Sequence, residues 1–198
     1  MSDGLPAGRR PFGILLGIAR LARGRVDGLA AFGDTRRAFL ASLLPLIGFP
    51  VVGEVLVAIR GETPSLTDLL ATLCALLAPP VLSFSLAHHW KRETLWPRFA
   101  TAFNWCQWAV PVVAFLLLLA MSLLIAIGVP NDAAGHLWIL GVAGYGLWLH
   151  WFLARNALHL SVLRAMALVI LVNAATVALV VGPLLISGAL QPAGRLGG

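Results

Sequence analysis

Charged residues are scarce in this sequence, and so are cysteine and tyrosine. Only 11% of the 198 residues are charged, whereas average globular proteins carry about 25%. Two cysteines are too few for a disulfide scaffold, and the shortage of charge excludes disorder, a coiled coil and a soluble enzyme. Apolar residues are abundant instead, at 60% of the chain with a mean hydropathy of +0.91. This composition leaves an integral membrane protein with several spans.

Five long apolar runs follow one another after residue 37. They cover residues 38–59, 66–87, 102–128, 137–154 and 160–187. Each can cross about 30 Å of hydrocarbon as a helix, and lipid offers no partner to an unpaired backbone group. The sequence therefore predicts an all-α integral membrane protein with three parts: a basic cytosolic tail (1–37), a five-helix transmembrane bundle (38–188) and a short external C-terminal tail (189–198).

Residues 12–34 form the one amphipathic stretch. Apolar residues recur at three- and four-residue steps, and arginines and aspartates occupy another face. The apolar stripe consists of Leu15, Ala19, Ala22, Val26, Leu29 and Gly33. This pattern predicts a helix that lies in the membrane interface or packs on the cytosolic ends of the bundle. The candidate contacts to anionic lipid head groups are Arg9, Arg10, Arg20, Arg23, Arg36 and Arg37.

The basic residues are divided unequally between the two sides of the predicted bundle. With a cytosolic N-terminus, twelve lie on the cytosolic side and two, Arg60 and Arg195, on the other. This positive-inside pattern predicts an external, periplasmic C-terminus. The strong preference for Arg over Lys is typical of a high-GC bacterial genome, so we expect a bacterial inner membrane. The net charge of +6 is attributed to lipid head groups rather than to nucleic acid.

Prolines interrupt four of the five runs, and the adjacent pair Pro79 and Pro80 is the sharpest case. Two neighbouring residues without N–H groups predict a break about two-thirds along the second helix. A broken helix can line a transport site, whereas a static kink filled by neighbouring helices has no such role.

Polar side chains inside the runs are the candidate functional residues: Glu54, Asn104, Gln107, Asn173 and Thr176. No helix cap explains Glu54, which is either an ion or proton site or an interfacial carboxylate paired with Arg60. The other four suit hydrogen bonds between helices. Counted from the helix ends, Asn104 is shallow and Asn173 lies near the midplane, so no common site is predicted.

Four histidines are expected at the cytosolic boundary: His88, His89, His150 and His159. No pair of them has a chelating spacing on one helix, so neither a metal nor a cofactor is predicted. The sequence also lacks a phosphate-binding loop, a nucleophile elbow and a zinc-protease motif. These features favour a protein that is not an enzyme.

The layout of a basic tail and five spans resembles the Yip domain family of membrane proteins (the Ypt/Rab-interacting type). Two local features add to the resemblance: Asn104-Trp-Cys-Gln-Trp108 opens the third run, and Gly144-Tyr145 lies in the fourth. The resemblance covers residues 37–187 and implies the topology alone. We therefore expect a non-enzymatic protein of membrane organisation, or a scaffold for other membrane proteins or for further copies of itself. The alternatives are a small channel or secondary transporter for an ion or small solute and, third, a metal- or haem-binding membrane subunit.

Overall fold

The computed structural model describes residues 11–61, 63 and 66–189. Its helices, in chain order, are α1 (Pro11–Leu21), a 3₁₀-helix (Val26–Ala31), α2 (Arg36–Ile59), α3 (Leu66–His89), α4 (Trp96–Cys106), α5 (Ala109–Ala126), α6 (Asn131–Ala157) and α7 (Val162–Ala189). Five segments are long and apolar enough to cross a membrane, with α4 and α5 forming one of them. The described ranges contain no strand. The predicted all-α, multi-pass membrane fold is therefore confirmed.

The spanning helices pack in the order α2, α3, α7, α6 and α5, and α4 contacts α1, α2, α3 and α6. Buried side chains concentrate at one end of the bundle. This end comprises α2 up to Leu46, α3 from Ala78, α4, α6 from Leu149 and α7 up to Val172, and we call it the packed half. Beyond it, α2, the part of α5 after Ala109 and the described part of α7 contain no buried residue. Exposed apolar side chains there suit helices that face lipid.

The third apolar run forms two helices rather than one. Helix α4 ends at Cys106 and α5 begins at Ala109. Pro111 explains the position of this break, because a proline ring clashes with the carbonyl group four residues earlier, here that of Gln107. The backbone tightens instead, since Val110 N–H bonds the carbonyl of Gln107 three residues back, at 3.3 Å.

The predicted break at Pro79 and Pro80 is wrong, because α3 continues from Leu66 to His89 with both prolines inside it. The helical φ of proline suits the helix, and an unwound segment in lipid would lose further hydrogen bonds without replacement. The turn of α3 from Pro80 to Ser83 is also stabilised by a hydrogen bond from α4. Trp96 Nε1 of α4 donates to Ser83 Oγ at 3.1 Å, and Ser83 Oγ donates to the Pro80 carbonyl at 3.0 Å. Whether a proline interrupts its helix in this protein therefore depends on the contacts that the helix makes with neighbouring helices.

The amphipathic stretch 12–34 is likewise not one continuous helix. The chain turns at Gly24, whose φ is +75°, and the 3₁₀-helix then packs back on α1. Leu21 and Phe32 are buried in the core between them and the bundle. Leu15 and Val26, two members of the predicted apolar stripe, are instead 62% and 46% exposed. Two other members of the stripe, Ala22 and Leu29, do pack against the core. The predicted inward face is therefore only partly correct, and the turn at Gly24 resets the helical period for the residues that follow it.

Residues 11–35, which we call the N-terminal segment, are held against the side of the bundle by two polar contacts. Tyr145 Oη donates to the Ala22 carbonyl at 3.2 Å, and Arg98 Nη2 contacts Asp34 Oδ2 at 2.7 Å. Tyr145 precedes the end of α6 by twelve residues, which corresponds to about 18 Å at the helical rise. The segment therefore extends along the bundle and does not merely cap its end.

Candidate functional sites

A basic cleft of about 690 Å³ lies between the N-terminal segment, α2 and α4. Arg37 and Arg98 both line it, together with Asp34, Thr35 and Trp105. Arg98 is paired with Asp34 at 2.7 Å, whereas no ion pair of Arg37 occurs within the described ranges. Both arginine residues are exposed to solvent. The cleft therefore carries positive charge that its own carboxylate only partly balances.

The other predicted head-group arginines are placed differently. Arg20 contacts Asp27 at 3.5 Å, so its charge is partly balanced within the N-terminal segment. Arg23 and Arg36 are exposed, and the described part of the chain offers neither of them an ion pair. Two predicted contacts lie outside the described residues: Arg9 and Arg10. Exposed arginine without a local carboxylate is available to an anion from outside the chain.

Asn104 has a structural role in the packed half. Its Nδ2 group donates to Ser42 Oγ of α2 at 2.9 Å, and Ser42 in turn donates to the Phe39 carbonyl at 2.6 Å. Asn104 is 1% exposed and Ser42 0% exposed. This hydrogen bond joins α2 to α4, as expected for a polar group that bonds between helices.

Asn173 joins α7 to α6 by a hydrogen bond to His150. Its Nδ2 atom lies 2.8 Å from the Val169 carbonyl and 3.1 Å from His150 Nδ1. A carbonyl can only accept, so the atom facing it is the amide nitrogen, and the second amide hydrogen points to Nδ1. His150 Nδ1 is therefore an acceptor, and in a neutral ring the proton lies on Nε2.

His150, which the sequence placed at the cytosolic boundary, is buried between helices of the packed half. It is 5% exposed and packs against Phe99 and Phe103, with ring centroids 6.3 and 4.6 Å away. Its Nε2 atom is buried and has no hydrogen-bond partner in the structure as described. The sequence did carry a signal for this position. His150 shares a helical face with Gly146 and Leu153, which turn toward the bundle.

A cavity of about 440 Å³ lies between α4–α5, α6 and α7. Its polar wall combines Gln107, His150 and Asn173 with the Cys106 side chain, and its remaining wall is apolar: Phe103, Val110, Val142, Ala143, Gly146, Leu147, Leu149, Leu153 and Val177. Gln107 and Asn173 therefore line one site. The sequence did not foresee this, because a depth count along each run ignores the offset between helices.

A second cavity, of about 430 Å³, lies on the other side of Gln107, between α2, α3 and α5. Thr72, Trp108 and Pro111 contribute to its wall. Gln107 borders both cavities because it sits at the break between α4 and α5. Thr176 borders neither of the two; its hydroxyl donates to the Val172 carbonyl of its own helix at 2.8 Å.

Glu54 lies in the half of α2 that contains no buried residue, and it is half-buried there. Arg60, its predicted partner, is exposed at the end of the same helix. No ion pair involves either residue within ranges 11–61 and 66–189. Glu54 is therefore not drawn into the polar groups of the packed half.

Within the described ranges, no group of three or more His, Cys, Asp and Glu side chains is arranged to hold a metal ion. Comparison with protein families, with curated proteins and with solved structures finds no match for this chain. The resemblance to the Yip domain family stays a prediction.

Proposed function

We propose that this multi-pass membrane protein is non-enzymatic and acts in membrane organisation, or as a scaffold for other membrane proteins, through anionic lipid held at its N-terminal segment. The basic cleft carries the proposal. Arg37 supplies a guanidinium group that forms no ion pair within the described ranges, and Arg98, which is paired with Asp34, adds a second guanidinium group. Guanidinium groups bind phosphate oxygens by charge-assisted hydrogen bonds. Asp34 neutralises one of the two positive charges in the cleft, and a lipid phosphate would neutralise the other.

The exposed side chains of the N-terminal segment support the same proposal. Leu15 and Leu16 of α1 are 62% and 53% exposed, although α1 also buries a face against the bundle. Two apolar faces on one short helix suit a position between protein and lipid. Trp105 also lines the cleft, and indole rings concentrate at the level of lipid head groups.

The orientation and the compartment belong to the same proposal. We place the packed half on the cytosolic side of a bacterial inner membrane, with the N-terminus inside and the C-terminus in the periplasm. The twelve-to-two division of basic residues supports this orientation. It brings the basic cleft to the leaflet whose anionic lipids attract cations.

Lipid-dependent thermal unfolding of the purified full-length chain tests the proposal. Phosphatidylglycerol should raise the melting temperature more than phosphatidylcholine, because a ligand at a hundred times its Kd stabilises the native state by about 2.7 kcal/mol. Arg37→Gln should lose most of this difference. Arg23→Gln is the matched control, since Arg23 is an exposed arginine of the N-terminal segment that does not line the cleft. Equal losses in both variants, or equal stabilisation by the two lipids, would contradict the cleft as the binding site.

A small channel or secondary transporter is the second candidate. The observation in its favour is the 440 Å³ cavity, which has His150, Asn173 and Gln107 on one wall of an otherwise apolar space. Membrane transport sites combine such polar groups with packed helices. A flux assay with the protein in liposomes decides between the two candidates.

A further inference from the structure

The 440 Å³ cavity contains an unused hydrogen-bond donor in its wall. His150 is 5% exposed, and its Nε2 atom is buried without a partner among the described residues. Asn173 Nδ2 donates a hydrogen bond to His150 Nδ1, so the proton of the neutral ring is on Nε2. A buried donor without an acceptor destabilises the state that contains it. An acceptor that reaches Nε2 would therefore stabilise the protein.

The composition of the cavity specifies what that acceptor is attached to. Most of the wall is apolar, including Phe103, Ala143 and Val177. The volume falls within the range of small-molecule sites, which join an apolar lining to a few polar groups. A charged ligand would lose its hydration without finding an opposite charge, because Gln107, Asn173 and a neutral His150 carry none. The ligand that fits is neutral and apolar, with one acceptor oxygen.

We propose that this cavity binds an apolar, membrane-soluble carbonyl compound, whose oxygen accepts a hydrogen bond from His150 Nε2–H. Phe103 controls access to the ring, since it packs on His150 at 4.6 Å and lines the same cavity. Nε2 itself is buried, so a ligand reaches it only after a side chain packed on the ring has moved. Two membrane components share the required chemistry: the ring carbonyl of a quinone and the ester carbonyl of an acyl lipid.

The test uses the full-length chain in nanodiscs with ¹⁵N-labelled histidine. The probes are a decyl-substituted benzoquinone, methyl laurate and tridecane, a hydrocarbon of similar length without a carbonyl. The His150 Nε2 resonance is assigned by its loss in His150→Phe. We expect it to shift with at least one carbonyl probe and not with tridecane. A shift with only one of the two carbonyl probes identifies the source.

Affinity measurements with the same probes complete the test. His150→Phe should weaken carbonyl binding about five- to tenfold, the worth of one buried hydrogen bond. His136→Phe is the matched control at an exposed position outside the cavity, and it should leave affinity unchanged. If His150→Phe does not fold, Ala143→Trp serves instead, because it fills the cavity without replacing the donor. The proposal fails if neither carbonyl probe shifts the resonance, or if binding survives these cavity variants unchanged.

Discussion

The hydrogen bond between Asn104 and Ser42 gives a quantitative test of how the packed half is held together. Replacing Ser42 by alanine removes the hydroxyl that accepts from Asn104 Nδ2 at 2.9 Å. Asn104 is 1% exposed and cannot turn to water. The variant therefore leaves a buried amide donor without its partner, while the alanine side chain creates little empty space.

The expected cost follows from the burial of both partners. An orphaned buried donor costs about 1–3 kcal/mol in soluble proteins. Hydrogen bonds between membrane helices average about 0.6 kcal/mol, with a maximum of about 1.7, because the unfolded chain in the membrane also finds partners. Ser42 and Asn104 are both fully enclosed, so we expect a value in the upper part of the range for membrane helices, about 1–1.7 kcal/mol. The double variant Ser42→Ala with Asn104→Leu should recover part of it, since no donor is then left unpaired.

Reversible unfolding in mixed micelles measures these differences, with the fraction folded followed by tryptophan fluorescence. Ser122→Ala is the matched control. The Ser122 hydroxyl donates to the Leu118 carbonyl of its own helix at 2.9 Å and is exposed, so its loss should change stability by less than about 0.5 kcal/mol. If Ser42→Ala costs no more than Ser122→Ala, the hydrogen bond between α2 and α4 contributes nothing, and our account of Asn104 as a structural residue is refuted.

Three further predictions concern the N-terminal segment, the topology and Glu54. A Cβ atom on Gly28 would lie 2.8 Å from the Gly17 carbonyl oxygen, so Gly28→Ala should cost about 1–3 kcal/mol and speed proteolysis of the segment; Gly48→Ala, in open space, is the control. A C-terminal phosphatase fusion should be active and a C-terminal fluorescent protein fusion dark, and the reverse pair would contradict five spans with the N-terminus inside. Glu54→Gln should change the melting temperature little and leave liposome flux unaltered; loss of flux at normal expression would favour a transporter.

The five spans could be predicted because each is a long run of apolar residues whose backbone has to bond within itself in lipid. The positions at which a helix is interrupted could not be predicted from the apolar runs alone. Pro111 divides its span, while Pro79 and Pro80 stay within a continuous helix. Each proline removes the same backbone donor, and the outcome depends on contacts such as Trp96 to Ser83. Such contacts join residues from different helices, so no local pattern records them.

The candidate sites could likewise be predicted only in part from the sequence. Asn104 and Asn173 were correctly identified as polar residues that could join helices, because asparagine in an apolar run has few other roles. Their partners on the neighbouring helices, Ser42 and His150, were not predicted. Pairing across helices depends on the relative offset of neighbouring spans. That offset is set by packing and cannot be counted from either sequence run alone.

The attachment of the N-terminal segment also determines the order in which the protein can assemble. Ala22 is bonded to Tyr145, 123 positions later in the chain. The segment is synthesised before α6, so its binding surface on α6 does not yet exist when the segment emerges. Insertion of the early spans therefore precedes docking of the residues that come before them. Under the proposed function, the arginines of the segment meet anionic lipid during that interval, before Ala22 is bonded to Tyr145.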